Sequence, residues 1–222
     1  MESKLFTPVT FGPLTLRNRT IRSAAFESMC PGNAPSDMLL NYHRSVAAGG
    51  IGMTTVAYAA VTRSGLSFDR QLWMRPEIIP GLRRLTDAVH AEGAAAGIQL
   101  GHCGNMSHKS ICGCTPVGAS GGFNLYSPTF VRGLRADELP ELARAYGRSV
   151  NLAREAGFDA VEIHAGHGYL ISQFLSPATN HRKDEFGGSL QNRMRFMDMV
   201  LEEVMKAAGN DMAVLAVSYT HL

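Results

Sequence analysis

The sequence predicts an α/β protein whose strands form a parallel sheet. Short β-type segments alternate with longer amphipathic helical segments along the 222 residues, which is the pattern of repeated βα units. The composition, 45% hydrophobic and 18% charged, supplies enough apolar residues for a buried core. No change in composition marks an internal boundary, so we expect one domain.

The first half of the chain is predicted to contain three strands and two helices. The strands cover 20–25, 52–61 and 95–100. The first helix has Ser36 as its N-cap and ends at Gly49-Gly50, because serine accepts hydrogen bonds from the first turn and glycine ends helices. The second helix has Pro80 in its first turn, carries Leu82, Leu85 and Val89 on one face, and ends at Gly93.

The second half is predicted to begin with a long loop. Residues 101–133 have no sustained period, and a loop of that length in a compact chain is usually functional or mobile. A helix over 137–156 leads into a strand over 160–164. A helix capped by Ser189 and a fifth strand over 213–217 follow.

The spacing of the strands leaves two architectures open. The predicted strands start at intervals that average roughly 48 residues, against about 31 per unit in a minimal (β/α)8 barrel. The chain is therefore either an open five-stranded sheet or the front part of a barrel.

Charge, N-terminal sequence and cysteine content exclude several classes of protein. Lys+Arg 21 against Asp+Glu 19 gives no basic surface for nucleic acid or an anionic membrane. The first residues lack the apolar core of a secretory signal, so a cytoplasmic location is expected. Four cysteines do not form a disulfide framework in a chain of this length, and Cys112-Gly113-Cys114 is interpreted as a pair of loop thiols rather than a metal site.

Polar side chains follow the strand over 160–164. His164, His167 and Tyr169 lie at its carboxyl end, where parallel α/β proteins bind their ligands. An imidazole can hydrogen-bond a substrate oxygen, and a phenol can supply a proton to a carbon. Any one of these residues alone would be read as a loop residue; together they predict a site.

Other candidates carry less weight. Gln99 ends the third strand with an amide that offers both a donor and an acceptor to a heterocycle, whereas His102 is equally consistent with a structural role. Arg182 and Asp184 are predicted to form an internal ion pair that fixes their loop, and Gly187-Gly188 to make a turn with positive φ.

Several segments together resemble the Old Yellow Enzyme family of FMN-dependent NAD(P)H oxidoreductases, including its 2,4-dienoyl-CoA reductase branch. The similarity covers about residues 6 to 216, and it is most specific between 160 and 193. The segments are Phe11-Gly12-Pro13-Leu14, Leu16-Arg17-Asn18-Arg19, Gln99-Leu100-Gly101-His102-Cys103-Gly104, Gly157-Phe158-Asp159, Glu162-Ile163-His164, His167-Gly168-Tyr169-Leu170, Gln173-Phe174-Leu175-Ser176-Pro177, Asn180-His181-Arg182, Gly187-Gly188-Ser189 and Asn192-Arg193.

This resemblance implies a (β/α)8 TIM barrel, of which the chain supplies about the first five βα strands. It implies FMN at the carboxyl face, reduced by NADH or NADPH and passing hydride to the activated C=C bond of a small α,β-unsaturated carbonyl compound. His164 and His167 match the pair that holds the substrate's carbonyl oxygen, and Tyr169 matches the proton donor. The implied flavin contacts are Ser23, Ala24, Ala25, Phe26, Ala60 and Gln99.

The chain also departs from the family pattern. Phe26 stands where a side chain that hydrogen-bonds the flavin is frequent, and Asn105 stands where arginine is frequent. The fifth strand has Val217 where the family carries a basic residue. We expect residues 1–222 to form a single FMN oxidoreductase barrel domain that is incomplete at its C-terminal end, with residues after about 216 not the native continuation. The same reasoning predicts poor solubility and weak FMN binding for the chain alone, because the sheet edges lack partners.

The sequence leaves two other functions open. A metal-dependent hydrolase barrel could use His102, His164 and His167, although no further ligands are clearly placed. A non-catalytic barrel fragment could act through association alone. For the reductase we expect a small-molecule substrate. A homo-oligomer is one of the assembly states that the sequence allows.

Overall fold

Five parallel strands with their helices on one face make up the body of this computed structural model, which describes residues 3–125 and 127–218. The strands are β1 (Val9–Phe11), β2 (Leu14–Leu16), β3 (Ile21–Arg22), β4 (Met53–Ala60), β5 (Ala95–Gly101), β6 (Val117–Gly118), β7 (Gly122–Asn124), β8 (Thr129–Gly133), β9 (Ala160–His164) and β10 (Ala213–Val217). The α-helices are α1 (Asp37–Ala48), α2 (Ile79–Ala91), α3 (Lys109–Cys112), α4 (Leu139–Glu155), α5 (Leu170–Leu175) and α6 (Leu190–Ala208).

The order of the strands decides between the two predicted architectures. The main sheet runs β10-β9-β5-β4-β3, so each strand pairs in parallel with the next main-sheet strand along the chain. An open doubly wound sheet reverses its order at a switch point, whereas a (β/α)8 barrel keeps strands in sequence. The fold is therefore the front part of a TIM barrel.

The helices begin and end where the sequence indicates. Ser36 Oγ accepts from the Leu39 amide at 3.2 Å at the start of α1, and Ser189 Oγ accepts from the Asn192 amide at 3.2 Å at the start of α6. The left-handed φ of 75° at Gly93 and 86° at Gly157 follows α2 and α4. These stops set the length of each connection and hence where the next strand starts.

Alternation along the strands divides the sheet into two faces. Ile98, Leu100, Val161 and Ile163 belong to the main core, which the helices cover. Gln99 and Glu162 lie on the opposite face, where they are register partners. That face is the interior side of the barrel.

A small hairpin closes one end of the sheet. β1 and β2 pair antiparallel, and Leu16 packs against Met53, Ala160 and Ala213, the first residues or near-first residues of the main strands. The amino ends of the strands are thereby covered, which leaves the carboxyl ends for a binding site.

Some predictions were wrong in detail. The strand predicted over 20–25 is only Ile21–Arg22, because the Arg22 guanidinium bonds the Ala25 carbonyl and the Glu27 carboxylate and turns the chain away from the sheet. The segment predicted as a loop over 101–133 contains α3 and the three short strands β6, β7 and β8. The prediction about the sequence after 216 falls mainly on residues 219–222, which lie outside the described residues. No helix within the described ranges is long and apolar enough to cross a membrane.

Candidate active site

The carboxyl ends of β4, β5 and β9 bring the predicted site residues to one edge of the sheet. Ala60 is the last residue of β4, Gln99 lies near the end of β5, and His164 is the last residue of β9. The segment 23–26 follows β3 at the same edge. The order of the strands therefore brings these predicted positions to one edge of the sheet.

His164 and His167 form a hydrogen-bonded pair. His164 Nε2 and His167 Nδ1 are 3.0 Å apart, so one ring donates and the other accepts according to the tautomers. His164 is buried, whereas His167 is exposed and has a left-handed φ of 58° that turns its ring back toward β9. Both imidazoles thus face the same small volume at the sheet edge.

Aromatic rings enclose this pair on one side. The Tyr169 ring lies 4.7 Å from the His164 ring between centroids, and the Tyr58 ring lies 5.6 Å from it. Tyr169 is half-buried at the start of α5, where its side chain makes no capping hydrogen bond and its amide donates to the Gly166 carbonyl at 3.1 Å. The phenol is therefore held next to both imidazoles.

Burial sets the protonation states of these groups. Desolvation, with a smaller contribution from His167, lowers the pKa of His164 to about 4, so this ring is neutral near pH 7. Burial also raises the pKa of Tyr169, an effect that a hydrogen bond to Ser67 partly offsets. At neutral pH the site therefore presents a neutral imidazole and a protonated phenol.

Gln99 has a partner that the sequence analysis did not name. Its Nε2 donates to Glu162 Oε1 at 2.6 Å, and the amide is almost fully buried. Glu162 lies two residues before His164, so strand alternation places it on the same face. That alternation was the signal that could have found it.

The other predicted flavin contacts differ in exposure and in how many of their backbone groups are already hydrogen-bonded within the protein. The Ala60 amide donates to the Leu72 carbonyl at 2.8 Å and its carbonyl accepts from Met74 at 2.9 Å, which leaves one lone pair of that oxygen. Ser23, Ala25 and Phe26 are exposed and Ala24 is half-buried. The Phe26 ring stacks on that of Phe68, with 4.7 Å between centroids.

A charged pair with little exposed surface, Arg22 and Glu27, shapes the segment 23–26. Arg22 Nη1 donates to Glu27 Oε1 at 2.8 Å, and Nη2 donates to the Ala25 carbonyl at 3.1 Å. Glu27 also accepts from the Ala57 amide of β4 at 3.3 Å. The segment is thus tied to the neighbouring strand at both of its ends.

Gln173 links the two loops that flank the site. Its Nε2 donates to the carbonyls of Cys103 and Gly168 at 3.0 and 2.7 Å and to Asn105 Oδ1 at 2.9 Å. The side chain is 1% exposed. Gln173 therefore fixes the loop after β5 to the loop that carries His167.

The predicted ion pair is present in the next loop. Arg182 Nε donates to Asp184 Oδ1 at 2.9 Å, and Arg182 also bonds the carbonyls of Ala119 and Leu134. Gly188 has the predicted positive φ, 80°, whereas at Gly187 any Cβ would overlap the Arg182 carbonyl. This loop is therefore fixed by Arg182.

An apolar cavity opens beside His167. It has a volume of about 540 Å³ and lies between that residue and the β7–β8 hairpin, with Met106, Phe123 and Leu125 on its walls. A cavity of this size holds a small molecule rather than a macromolecule.

His102 does not join the histidine pair. Its Nδ1 accepts from the Gly104 amide at 3.0 Å and its Nε2 bonds Ser64 Oγ at 3.1 Å. Within the described ranges, no group of three or more His, Cys, Asp or Glu residues is placed to hold a metal ion. The arrangement gives no support to the metal-dependent hydrolase.

The donors and acceptors at this edge fit the pyrimidine side of a flavin ring. His164 Nδ1 is buried and has no hydrogen-bond partner among the described residues. Gln99 keeps its oxygen and its second amide hydrogen after bonding Glu162. An unpartnered buried nitrogen and a half-used amide are the kinds of group that a planar heterocycle with both donors and acceptors can satisfy.

The family model of NADH:flavin oxidoreductases and NADH oxidases matches residues 4–221. The chain belongs to this family. Over 96% of its length it is 44% identical to the 4,4'-dithiodibutanoate disulfide reductase of Rhodococcus erythropolis, of which it covers 53%. Over 92% of its length it is 37% identical to an NADPH dehydrogenase of Bacillus subtilis, of which it covers 60%.

Solved structures agree with this assignment. The Old Yellow Enzyme homologue of Zymomonas mobilis superposes with a TM-score of 0.89 at 30% identity, over 96% of this chain and 63% of that one. Morphinone reductase in complex with tetrahydroNAD superposes with a TM-score of 0.88 at 28% identity, over 97% of this chain and 64% of that one. The chain thus spans about half to two thirds of the length of these four proteins.

These matches confirm the predicted family, the partial TIM barrel and the FMN dependence of the family. They confirm an oxidoreductase at the level of the family.

Proposed function

We propose that this chain carries the flavin-side and substrate-side residues of a reductase that moves hydride from NADH or NADPH to the activated C=C bond of a small α,β-unsaturated carbonyl compound. The observation that carries the proposal is the cluster of His164, His167 and Tyr169 at the carboxyl end of β9. Bound FMN would accept hydride from the nicotinamide and deliver it to the acceptor.

In this proposal the imidazole pair holds the carbonyl oxygen of the acceptor. Both rings face one point, and their contact of 3.0 Å is replaced when an oxygen accepts an N–H from each. Because the pKa of His164 is lowered to about 4, the ring acts as a neutral donor near pH 7. Negative charge that develops on the oxygen is then stabilised by the N–H of the neutral His164 ring together with the N–H of His167.

Tyr169 is the proposed proton donor to the acceptor's α-carbon. Its ring stands 4.7 Å from that of His164, and burial keeps its phenol protonated. A proton donor separate from the oxygen-binding pair can act as negative charge moves onto carbon. Polarisation and protonation are thereby assigned to different side chains.

Gln99 and the backbone at 23–26 and 60 are the proposed flavin contacts. Gln99 is oriented by Glu162, and the exposed segment 23–26 is held in shape by Arg22. The Ala60 carbonyl contributes its remaining lone pair. These contacts would hold the ring against the open edge of the sheet, next to the imidazoles.

The test separates the two half-reactions in the flavin-loaded protein. Tyr169→Phe should slow acceptor reduction on the order of 10²-fold, since that is the usual contribution of a general acid, and should leave flavin reduction by NADPH within about twofold. Tyr146→Phe, a buried tyrosine on α4, is the matched control and should change neither rate. An equal loss in both half-reactions for Tyr169→Phe would remove Tyr169 from the proposed role.

The similarity to a disulfide reductase supports a second acceptor. That relative, 44% identical over 96% of this chain, acts on 4,4'-dithiodibutanoate by its name. An organic disulfide accepts a hydride and a proton to give two thiols, so it needs no C=C bond. Rates with cyclohexenone and with 4,4'-dithiodibutanoate, each measured in wild type and Tyr169→Phe, assign the acceptor class: only the enone reaction should depend strongly on Tyr169.

A further inference from the structure

Two cysteine side chains meet at the C-terminal end of α3. Cys114 Sγ lies 3.6 Å from Cys112 Sγ, and Cys112 Sγ donates to the Cys114 carbonyl at 3.1 Å. Cys112 is buried and Cys114 is exposed. One thiol is therefore open to solvent and the second stands directly behind it.

The local backbone explains this contact. α3 ends at Cys112, and Gly113 takes a left-handed φ of 75° while its amide donates to the Lys109 carbonyl at 2.9 Å. A side chain at Gly113 would be strained by that φ and would crowd the Arg63 guanidinium at 3.2 Å. The glycine turn brings Cys114 back over Cys112.

The remaining cysteines lack these features. Cys30 and Cys103 are buried, and burial raises the pKa of each to about 12. Cys103 Sγ is used in a hydrogen bond to the Leu66 carbonyl at 3.3 Å. They provide internal controls for thiol chemistry in the same chain.

Cys114 borders a cavity large enough for a small molecule. The cavity has a volume of about 620 Å³ and is also lined by Ser64, His102 and Arg132. Burial and the neighbouring Cys112 raise the pKa of the Cys114 thiol. The guanidinium groups of Arg63 and Arg132 act in the opposite direction and favour the thiolate. Because Cys114 is exposed at this cavity and Cys112 is buried, an incoming reagent can reach Cys114 but not Cys112.

We propose that Cys112 and Cys114 form a thiol–disulfide exchange site that reduces small organic disulfides and becomes an intramolecular disulfide. The Cys114 thiolate attacks one sulfur of the incoming disulfide, so a mixed disulfide forms and one thiolate leaves. The Cys112 thiolate then attacks Cys114 Sγ, and the second thiolate leaves as the Cys112–Cys114 bond forms. Two electrons pass from the protein to the reagent, and the two protons given up by the cysteines protonate the two released thiolates.

The product links the end of α3 to the segment that leads into β6. The two sulfur atoms are 3.6 Å apart. They must come roughly 1.5 Å closer to reach the disulfide bond length of about 2.05 Å. No flavin takes part, so the site functions whether or not the proposed reductase activity is correct.

The test uses oxidised glutathione as the only reagent, at pH 8.5, where a larger fraction of each thiol is ionised than at pH 7. Two of the four thiols should be lost per chain, with no glutathione retained and the intact mass reduced by two hydrogens. Trypsin cleaves after Lys109 and Arg132, and the peptide 110–132 contains both cysteines and no internal cleavage site. This peptide should carry the entire loss of two hydrogens in wild type.

Variants assign the order of attack. Cys112→Ser should keep one glutathione on Cys114, whereas Cys114→Ser should react at least tenfold more slowly and Cys30→Ser should behave as wild type. Retention of glutathione by the wild-type chain, a bond between Cys112 and Cys103, or disulfide-linked dimers would each overturn the proposal. The wild-type peptide map decides the matter even if one variant fails to fold.

Discussion

The two buried histidines at the carboxyl edge should make the stability of the chain depend on pH between 7.5 and 5.5. Burial lowers the pKa of His102 to about 3, and burial together with His167 lowers that of His164 to about 4. The unfolded chain protonates both imidazoles below about pH 6.5, whereas the folded chain keeps them neutral until the pH is much lower. Stability is therefore complete above about pH 6.5 and is lost as the pH falls below it.

The size of this loss of stability hardly depends on the exact pKa values of the two histidines in the folded chain. Between pH 7.5 and 5.5 the unfolded form of each histidine gains about 1.4 kcal/mol of proton-binding free energy, because its protonated fraction rises to about nine-tenths. The folded form gains almost nothing in this range. Two such residues should lower the free energy of unfolding by about 2.7 kcal/mol, while carboxyl groups, which titrate mainly below pH 5, contribute little.

Urea unfolding at the two pH values measures this loss. With a slope of about 2 kcal/mol/M for a chain of this size, the midpoint should fall by roughly 1.3 M in wild type. His102→Gln should halve the pH effect, and His181→Gln, at an exposed position, should leave it unchanged. An undiminished pH effect in His102→Gln, or equal midpoints at both pH values in wild type, would refute the reasoning.

Three substitutions test other parts of the fold. Tyr146→Phe should raise the free energy of unfolding by about 1 kcal/mol, because the Tyr146 hydroxyl is buried without a partner among the described residues. A lower melting temperature for this variant than for wild type would contradict the prediction. Gly104→Ala should lower it by about 2 kcal/mol, because φ there is 63° and a Cβ would overlap the Gln173 amide; an unchanged melting temperature would argue against that role for Gln173. Arg17→Lys should cost about 1–2 kcal/mol, because Arg17 donates to the carbonyls of Ala47, Ile51 and Glu92, which one ammonium cannot reach together; a cost equal to that of an exposed Arg44→Lys change would contradict this.

The parts of the fold that were predictable are those with long, regular patterns. The strands Ala160–His164 and Ala213–Val217 agree with the prediction to the residue, because each is a short β-type run that follows a helix ended by a glycine. Ser189 was recognised as an N-cap because the apolar positions that follow it repeat at helical spacing.

The parts that were not predictable are short or depend on tertiary contacts. β6, β7 and β8 have two to five residues each, which is too few for a period to be recognised. α5 follows Tyr169 without a side-chain cap, so its start carries no local signal. The end of β3 depends on Arg22 finding Glu27, a contact that no pattern along the chain encodes.

The candidate site was predictable to the extent that it lies on strands. His164, Gln99 and Ala60 are fixed by strand ends, whereas the position of Gln99 also depends on Glu162, its register partner across β5 and β9. The position of His167 depends on its own left-handed backbone conformation. It also depends on Gln173, which joins the loop that carries His167 to the loop after β5. Sequence spacing can bring side chains to the same edge, but the orientation of a loop side chain is decided by contacts with distant residues.

The same desolvation acts on stability and on the proposed chemistry. An exposed imidazole would be partly charged near pH 6.5 and would hold an oxygen by charge, with water competing for it. Burial of His164 against Tyr58 and Tyr169 keeps it neutral and leaves its N–H as a directed donor in a drier site, where hydrogen bonds to developing charge are stronger. A fold that makes this histidine a good donor at neutral pH must therefore also lose stability in mild acid, so a variant that removes the acid sensitivity by exposing His164 should weaken the hold on the substrate oxygen as well.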